Sequence, residues 1–174
     1  KTGEESIERA QEQKLDHICR KLRLQPGDRF LDIGCGWGAL VMHAAQRYGV
    51  KALGITLSKN QHALANERIK AAGLAERCEV RIEDYRDVPG DGTFDKIASV
   101  GMFEHVGRAR LPEYFAKMHR LLKPGGLLMN HGITAGGTGN HELGAGIGDF
   151  VERHIFPGGE LLHVAPVLAA TTDA

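Results

Sequence analysis

The stretch Leu31-Asp32-Ile33-Gly34-Cys35-Gly36-Trp37-Gly38 puts three glycines at alternate positions. A short apolar run leads into it and a helical pattern follows, so the glycines fall in a tight turn between a strand and a helix. Glycine there permits positive φ, removes Cβ from the path of a ligand and presents amide N–H groups at a helix N-terminus. Dinucleotide enzymes use a related loop spaced GxGxxG; here the third glycine comes one residue early and nothing suits a pyrophosphate. The loop therefore favours S-adenosylmethionine over a nicotinamide, with Asp32, Gly34, Cys35, Gly36 and Gly38 as cofactor-binding residues. In such sheets an acidic residue about 20 positions further on commonly holds the ribose hydroxyls. That region reads Gly54-Ile55-Thr56-Leu57-Ser58 and has no carboxylate, which leaves the ribose to Thr56, Leu57 and the nearby Gln61. Thr56 and Ser58 also suit a helix cap, and the two roles can coexist. Downstream, Glu83-Asp84-Tyr85-Arg86-Asp87 offers the Asp84 carboxylate to an adenine amino group with the Tyr85 ring beside it, a solvated charged loop being the alternative.

Other reactive residue types read more plainly on their own. Glu104 beside His105 could open a helix, the glutamate favouring the positive end of the dipole. His131, at the end of an apolar strand, reads as a hydrogen-bonded core histidine. Cys35 has no base beside it in sequence and is read as a small packing residue, and Trp37 as packing too. The chain has nine histidines but no HxxxH or HExxH spacing, so no metal site is expected.

The elements that position these residues alternate. Helical spacing begins at Ser6 and stops at Pro26-Gly27-Asp28; strands follow at 29–33, 51–57, 79–82, 94–100 and 127–133. Between them helices are expected over 39–48, 59–72 and 111–122, the last closed by Pro124-Gly125-Gly126. This order predicts an α/β fold, a doubly wound, mostly parallel sheet covered on both faces. Residues 135–148 are glycine-rich, which favours a loop over a site, and 161–174 form an amphipathic stretch. At 174 residues and 42% apolar content a single domain with a real core is expected. Lys plus Arg equals Asp plus Glu at 22 each, which speaks against a nucleic-acid partner. Three cysteines without a close pair fit a reducing cytoplasm. With no apolar run of about eighteen residues and a polar start, a soluble chain is expected.

Six segments, taken in order, carry a resemblance. They are residues 31–38; Gly54-Ile55-Thr56-Leu57-Ser58 with Gln61; Asp84-Tyr85-Arg86-Asp87; Gly101-Met102-Phe103-Glu104-His105-Val106-Gly107; His131-Gly132-Ile133-Thr134; and Phe156-Pro157-Gly158-Gly159-Glu160-Leu161. Together, from about Ser6 to the last residue, they resemble the cyclopropane-fatty-acyl-phospholipid synthase family, which includes the mycolic acid cyclopropane synthases. The resemblance implies a Rossmann-like class I methyltransferase fold and a reaction. The S-adenosylmethionine methyl passes to a carbon of a cis double bond in an unsaturated phospholipid acyl chain, a carbocation results, and loss of a proton from the new methyl closes a cyclopropane. It implies bicarbonate as the base, with Glu104, His131 and the Ile133 backbone as the catalytic, bicarbonate-holding positions, and it makes the missing ribose carboxylate a family trait. An alkene is a poor nucleophile, so such a site needs no general base to start but a buried one to finish.

The same resemblance divides the single domain 1–174 into a core at 27–134 and, at 135–174, the glycine-rich loop with the start of an acyl-binding insertion. Two further bicarbonate contacts of the family, an upstream cysteine and a downstream tyrosine, have no counterpart, Cys19 lying within the first helix; nor do the last strands. A fragment that binds the cofactor weakly is therefore expected. The expected partner is the acyl chain at the membrane surface, with a homodimer left open. The implied location is cytoplasmic, peripheral to the inner face of the membrane, through Phe150, Ile155 and Phe156 with Arg153 and His154 beside them. Two alternatives remain, a related lipid C-methyltransferase giving a branched or hydroxylated product and a catalytically incomplete S-adenosylmethionine-binding domain, with a nicotinamide oxidoreductase behind them.

Overall fold

The computed structural model describes residues 3–136 and 161–172. Residues 137–148 of the loop expected over 135–148, residues 156–160 of the Phe156 motif and the apolar patch around Phe150 lie outside the described residues. Helix α1 (Ile7–Lys21) starts on Ser6, whose hydroxyl accepts from the Arg9 N–H at 3.3 Å. Strand β1 (Arg29–Ile33), helix α2 (Ala39–Tyr48), strand β2 (Lys51–Thr56), helix α3 (Lys59–Ala71) and strand β3 (Cys78–Ile82) follow. Then come β4 (Phe94–Val100), two 3₁₀ turns, α4 (Leu111–Leu121), β5 (Leu122–His131) and α5 (Val164–Thr172).

The sheet has the order β3-β2-β1-β4-β5, and every neighbouring pair is parallel. Parallel strands need both faces covered, and the apolar residues sort accordingly. Phe30, Ala98 and Val80 face a cluster with α1, α2 and α3, including Cys19, Val41, Ala44 and Ile69. Leu31, Ile33 and Ile97 face another with α4 and α5, including Tyr114, Met118, Leu121 and Val167. Val88, on the segment that crosses from β3 to β4, is buried on this second face. The chain therefore winds outward from β1 in both directions, and the expected doubly wound α/β class is what the structure has.

Two expectations at β5 need correction. The strand was expected over 127–133 with Pro124-Gly125-Gly126 closing the preceding helix; instead the helix stops at Leu121, and the triplet lies inside a strand that runs from Leu122 to His131. The reason is a bulge. Phe94 pairs with Leu122 and Lys96 with Leu127, so the surplus residues, with Gly125 at φ +78°, are absorbed by a register shift rather than by ending the element. At the other end the strand stops two residues early, because the Ile133 N–H turns to the Glu104 carboxylate at 2.8 Å.

Strand β3 is an edge of the sheet, and its outward backbone is occupied. Asn66 on α3 donates from Nδ2 to the Val80 carbonyl at 2.8 Å and accepts from the Val80 N–H at 3.0 Å. An amide side chain thus does the work of a neighbouring strand. Asn66→Ala is expected to lower unfolding free energy by about 1–3 kcal/mol, read from urea midpoints, because it strips partners from a half-buried peptide. A change within 0.5 kcal/mol, judged against the typical surface substitution, would show that water replaces the amide without loss.

Candidate functional site

In a parallel sheet all strands end on one edge, and here that edge gathers the candidate residues. Beyond β1, the Gly34 and Cys35 N–H groups both donate to the Ile55 carbonyl of β2 at 3.0 Å, folding the loop back over its neighbour. Gly34, Gly36 and Gly38 all have positive φ, at 73°, 56° and 82°. A Cβ on Gly34 would lie 2.8 Å from Met102 Cγ, and one on Gly38 3.0 Å from the Ala65 Cβ, so both are glycine by conformation and by contact. At Gly36 a Cβ would meet nothing among the described residues within 4 Å, leaving an open approach to the backbone. Cys35 is buried and packs where a Cβ on Gly54 would fall, 2.8 Å from its Sγ, and burial pushes its thiol up to about 12. It is a packing residue, as expected. Trp37 is not: it is 49% exposed, a correction to the reading of it as packing.

At the end of β2, Thr56 is buried and its hydroxyl donates to Gln61 Oε1 at 2.6 Å, while the Ser58 hydroxyl caps α3 by accepting from the Gln61 N–H at 3.3 Å. Capping and the hydroxyl–amide pair coexist. With its oxygen engaged, Gln61 is oriented to offer its amide N–H groups. Leu57 is 71% exposed. The end of β3 joins this arrangement through the Glu83 N–H, which donates to the Thr56 carbonyl at 3.2 Å. Asp84 accepts from the Arg86 backbone N–H at 3.0 Å and from its guanidinium at 2.9 and 2.6 Å, which holds the carboxyl below its ordinary range. The Tyr85 ring meets Tyr114 edge-on at 5.3 Å.

On the other side of β1, the ends of β4 and β5 form a second cradle. The Gly101 N–H donates to the His131 carbonyl at 2.8 Å, closing the two strands together. Glu104, in the 3₁₀ turn Phe103–His105, is 1% exposed; its Oε1 accepts from the Ile133 N–H at 2.8 Å, and its Oε2 is buried without a partner among the described residues. The two residues are 29 positions apart in sequence, and the fold brings them into contact. His131 is exposed, against the buried core histidine that its sequence position alone suggests, and Ile133 is 52% exposed. Gly132 lies between them, where a Cβ would fall 2.0 Å from Phe103 Cε1 and 2.9 Å from the Glu104 carboxyl carbon. The sequence reading gave Gly132 no role and passed over Ser99, Tyr114 and Asn130, which lie beneath this cradle. A polar Asn130 after Leu127-Leu128-Met129 was the available signal.

The two groups of residues flank the β1–β4 junction, where the winding reverses and ligands of open α/β sheets bind. A separate cleft of about 640 Å³ between α1 and α2, lined from Arg9 to Arg20 and by His43 and Arg47, contains none of the candidate residues. Among the described residues no group of three or more His, Cys, Asp or Glu side chains could hold a metal, and no helix is long and apolar enough to cross a membrane.

Asp32 differs from the other candidates in facing the core. It is 3% exposed on the α1–α2 face, and burial raises its carboxyl from 3.8 to about 7, with Lys14 opposing the shift. The folded chain therefore binds a proton that the unfolded chain has lost, and stability falls as pH rises from 3.8 to about 7. Each pKa unit is worth about 1.4 kcal/mol, so the loss is on the order of 4 kcal/mol. Asp32→Asn is expected to flatten this slope in urea denaturation followed across the window. An unchanged slope would place the titration elsewhere.

Comparison with known proteins gives this geometry a family. The model of the mycolic acid cyclopropane synthetase family matches residues 1–174. A probable fatty acid methyltransferase of Pseudomonas putida is 50% identical over 169 residues, covering 97% of this chain and 43% of that protein. The cyclopropane-fatty-acyl-phospholipid synthase of Escherichia coli strain K12 is 40% identical over 163 residues, covering 94% and 40%. Among solved structures, mycolic acid cyclopropane synthase CmaA1 complexed with SAH and CTAB superposes with a TM-score of 0.86 at 32% identity, covering 99% of this chain and 63% of that one. The chain thus spans about two fifths of the length of these curated relatives. With the family model matching residues 1–174 and the overall fold shared with a solved member, the chain belongs to the mycolic acid cyclopropane synthetase family.

Proposed function

We propose that this chain is the cofactor- and bicarbonate-holding core of an S-adenosylmethionine-dependent methyltransferase that forms cyclopropane rings on unsaturated phospholipid acyl chains. The observation that carries the reading is Glu104: a buried carboxylate tied by one oxygen to the Ile133 N–H, its other oxygen without a partner among the described residues, at the sheet edge across from a glycine loop. A buried acceptor left unpaired is costly, and a hydrogencarbonate O–H is a donor of the right kind to satisfy it. The open space over Gly36 suits a cofactor approaching backbone.

When bound, the cofactor would supply a methyl group on a sulfonium and the hydrogencarbonate a base for the last proton. The chain's own residues bind and orient. Gly34, Gly36 and Gly38 let the loop backbone approach the cofactor; Gln61, fixed by Thr56, with Leu57 beside them, faces the ribose; Asp84 and Tyr85 take the adenine. Asp32, behind the loop, is a buried carboxyl that a cationic ligand would favour in its ionised form. Cys35 sets the loop against β2 by packing. On the other side Glu104 accepts the hydrogencarbonate O–H, the Ile133 N–H is shared between carboxylate and ion, and His131 borders the ion from the end of β5. The enzyme would act on its lipid at the cytoplasmic membrane surface.

A related lipid C-methyltransferase, which keeps the transferred methyl without closing a ring, is the second reading. It is favoured by the fatty acid methyltransferase that is 50% identical to this chain. Proton NMR of the product lipid separates the two, since only a cyclopropane gives strongly upfield ring protons.

Calorimetric titration with S-adenosylmethionine tests the cofactor half. Gly36→Val is expected to abolish binding, because its side chain fills the open approach, and unaltered binding by that variant would move the cofactor elsewhere. Glu104→Gln tests the other half: cyclopropane formation should drop by about 10²-fold or more while cofactor affinity stays within about twofold. Full turnover by Glu104→Gln would remove the carboxylate from the mechanism.

A further inference from the structure

The cradle rests on a buried polar group that the proposed chemistry does not use. Tyr114, in the middle of α4, is fully buried, and its hydroxyl donates to Asn130 Oδ1 on β5 at 3.1 Å. Asn130 is the register partner of Ser99 on β4, so the two side chains sit level on adjacent strands facing the same helix. Ser99 is likewise fully buried, and among the described residues its Oγ has no partner. Each strand then leads directly to a cradle residue. Glu104 follows Ser99 by five positions, and His131 and Ile133 follow Asn130 by one and three. The Tyr114 ring is pinned besides, edge-on to Phe115 at 5.0 Å and to Tyr85 at 5.3 Å.

We propose that Tyr114 is a positioning residue: its hydroxyl, bonded to Asn130, fixes the end of β5 against α4, the helix that follows the Glu104 turn, and so presents the Ile133 N–H to Glu104. A hydroxyl on an otherwise apolar helix face is costly to bury, and apolar Phe and Leu would fill the same space with no polar group to satisfy. What the polar pair adds is a direction: a hydrogen bond has an angle as well as a length, so the end of β5 is fixed against sliding along α4 where mere packing would tolerate it. Through Tyr85, the same ring also joins the cradle to the strip proposed for adenine. The inference rests on the reading of Glu104 given above for its consequence, though not for its geometry.

Tyr114→Phe keeps the ring contacts and removes the hydroxyl. Loss of one such bond is expected to speed exchange of the Ile133 amide, followed by NMR, about fivefold. ¹³C-bicarbonate affinity is expected to fall by a similar factor and S-adenosylmethionine affinity to stay within about twofold. Asn130→Leu breaks the same bond from the strand side and gives the same reading should the tyrosine variant not fold. The double variant Tyr114→Phe/Asn130→Leu, with both polar groups gone, should recover thermal stability while the Ile133 amide still exchanges fast. The proposal is overturned if Ile133 exchange is unchanged in both single variants, or if it recovers in the double variant together with stability. If the unaltered chain takes up no bicarbonate, the reading of Glu104 fails instead, and the amide exchange still decides the role of Tyr114.

Discussion

All five strands point the same way, and most of what this molecule does at its carboxyl edge follows from that constraint. Parallel pairing cannot be closed by hairpins, so the chain must cross the sheet between strands, and the helices that cross it bury both faces. The price is paid in apolar residues throughout β1, β2 and β4; the return is that every strand delivers its next residues to one side. Residues as distant as Gly34, Thr56, Asp84, Glu104 and His131 are neighbours along a rim because of direction alone.

Within that rim the two halves are built on different principles. From β1 to β3 the loop is held by backbone, its amides returning to the Ile55 carbonyl and the Glu83 amide to the Thr56 carbonyl, while short-range side-chain pairs, Thr56 with Gln61 and Asp84 with Arg86, set the groups beside it. From β4 to β5 the groups are held by buried side chains, in which a carboxylate, two hydroxyls and an amide lie within an otherwise apolar layer of Leu111, Phe115 and Met118. Networks of this second kind are rigid when every member is satisfied and sensitive when one is not.

How much could be read in advance follows the same division. The glycine loop and the cap on α3 are local in sequence, and the residues quoted for them lie within a few positions of one another. The contact between Glu104 and the Ile133 N–H is not local, and neither residue taken alone suggests it; only the family resemblance paired them. The start of β5 was misplaced because Pro124-Gly125-Gly126 has the composition of a terminator, whereas neighbouring β4 supplies the pairing that carries the strand through it. The exposure of Trp37 was missed for a similar reason: large apolar side chains are assigned to cores by type, while burial is decided by what packs opposite. Asn66 looked like any polar helical residue until the outward backbone of Val80 was placed beside it.

Gly132 sets a boundary on how this site can vary. Any side chain there would have to pass through the Phe103 ring and the Glu104 carboxyl, so the position is closed to redesign whatever the backbone would tolerate. Its neighbour Ile133 contributes only its N–H to the cradle and has half its surface exposed, so its side chain can be exchanged without touching that bond. Variants meant to reshape this rim would therefore leave 132 fixed and change the residue after it, where the side chain can vary while the Glu104 carboxylate keeps its bond.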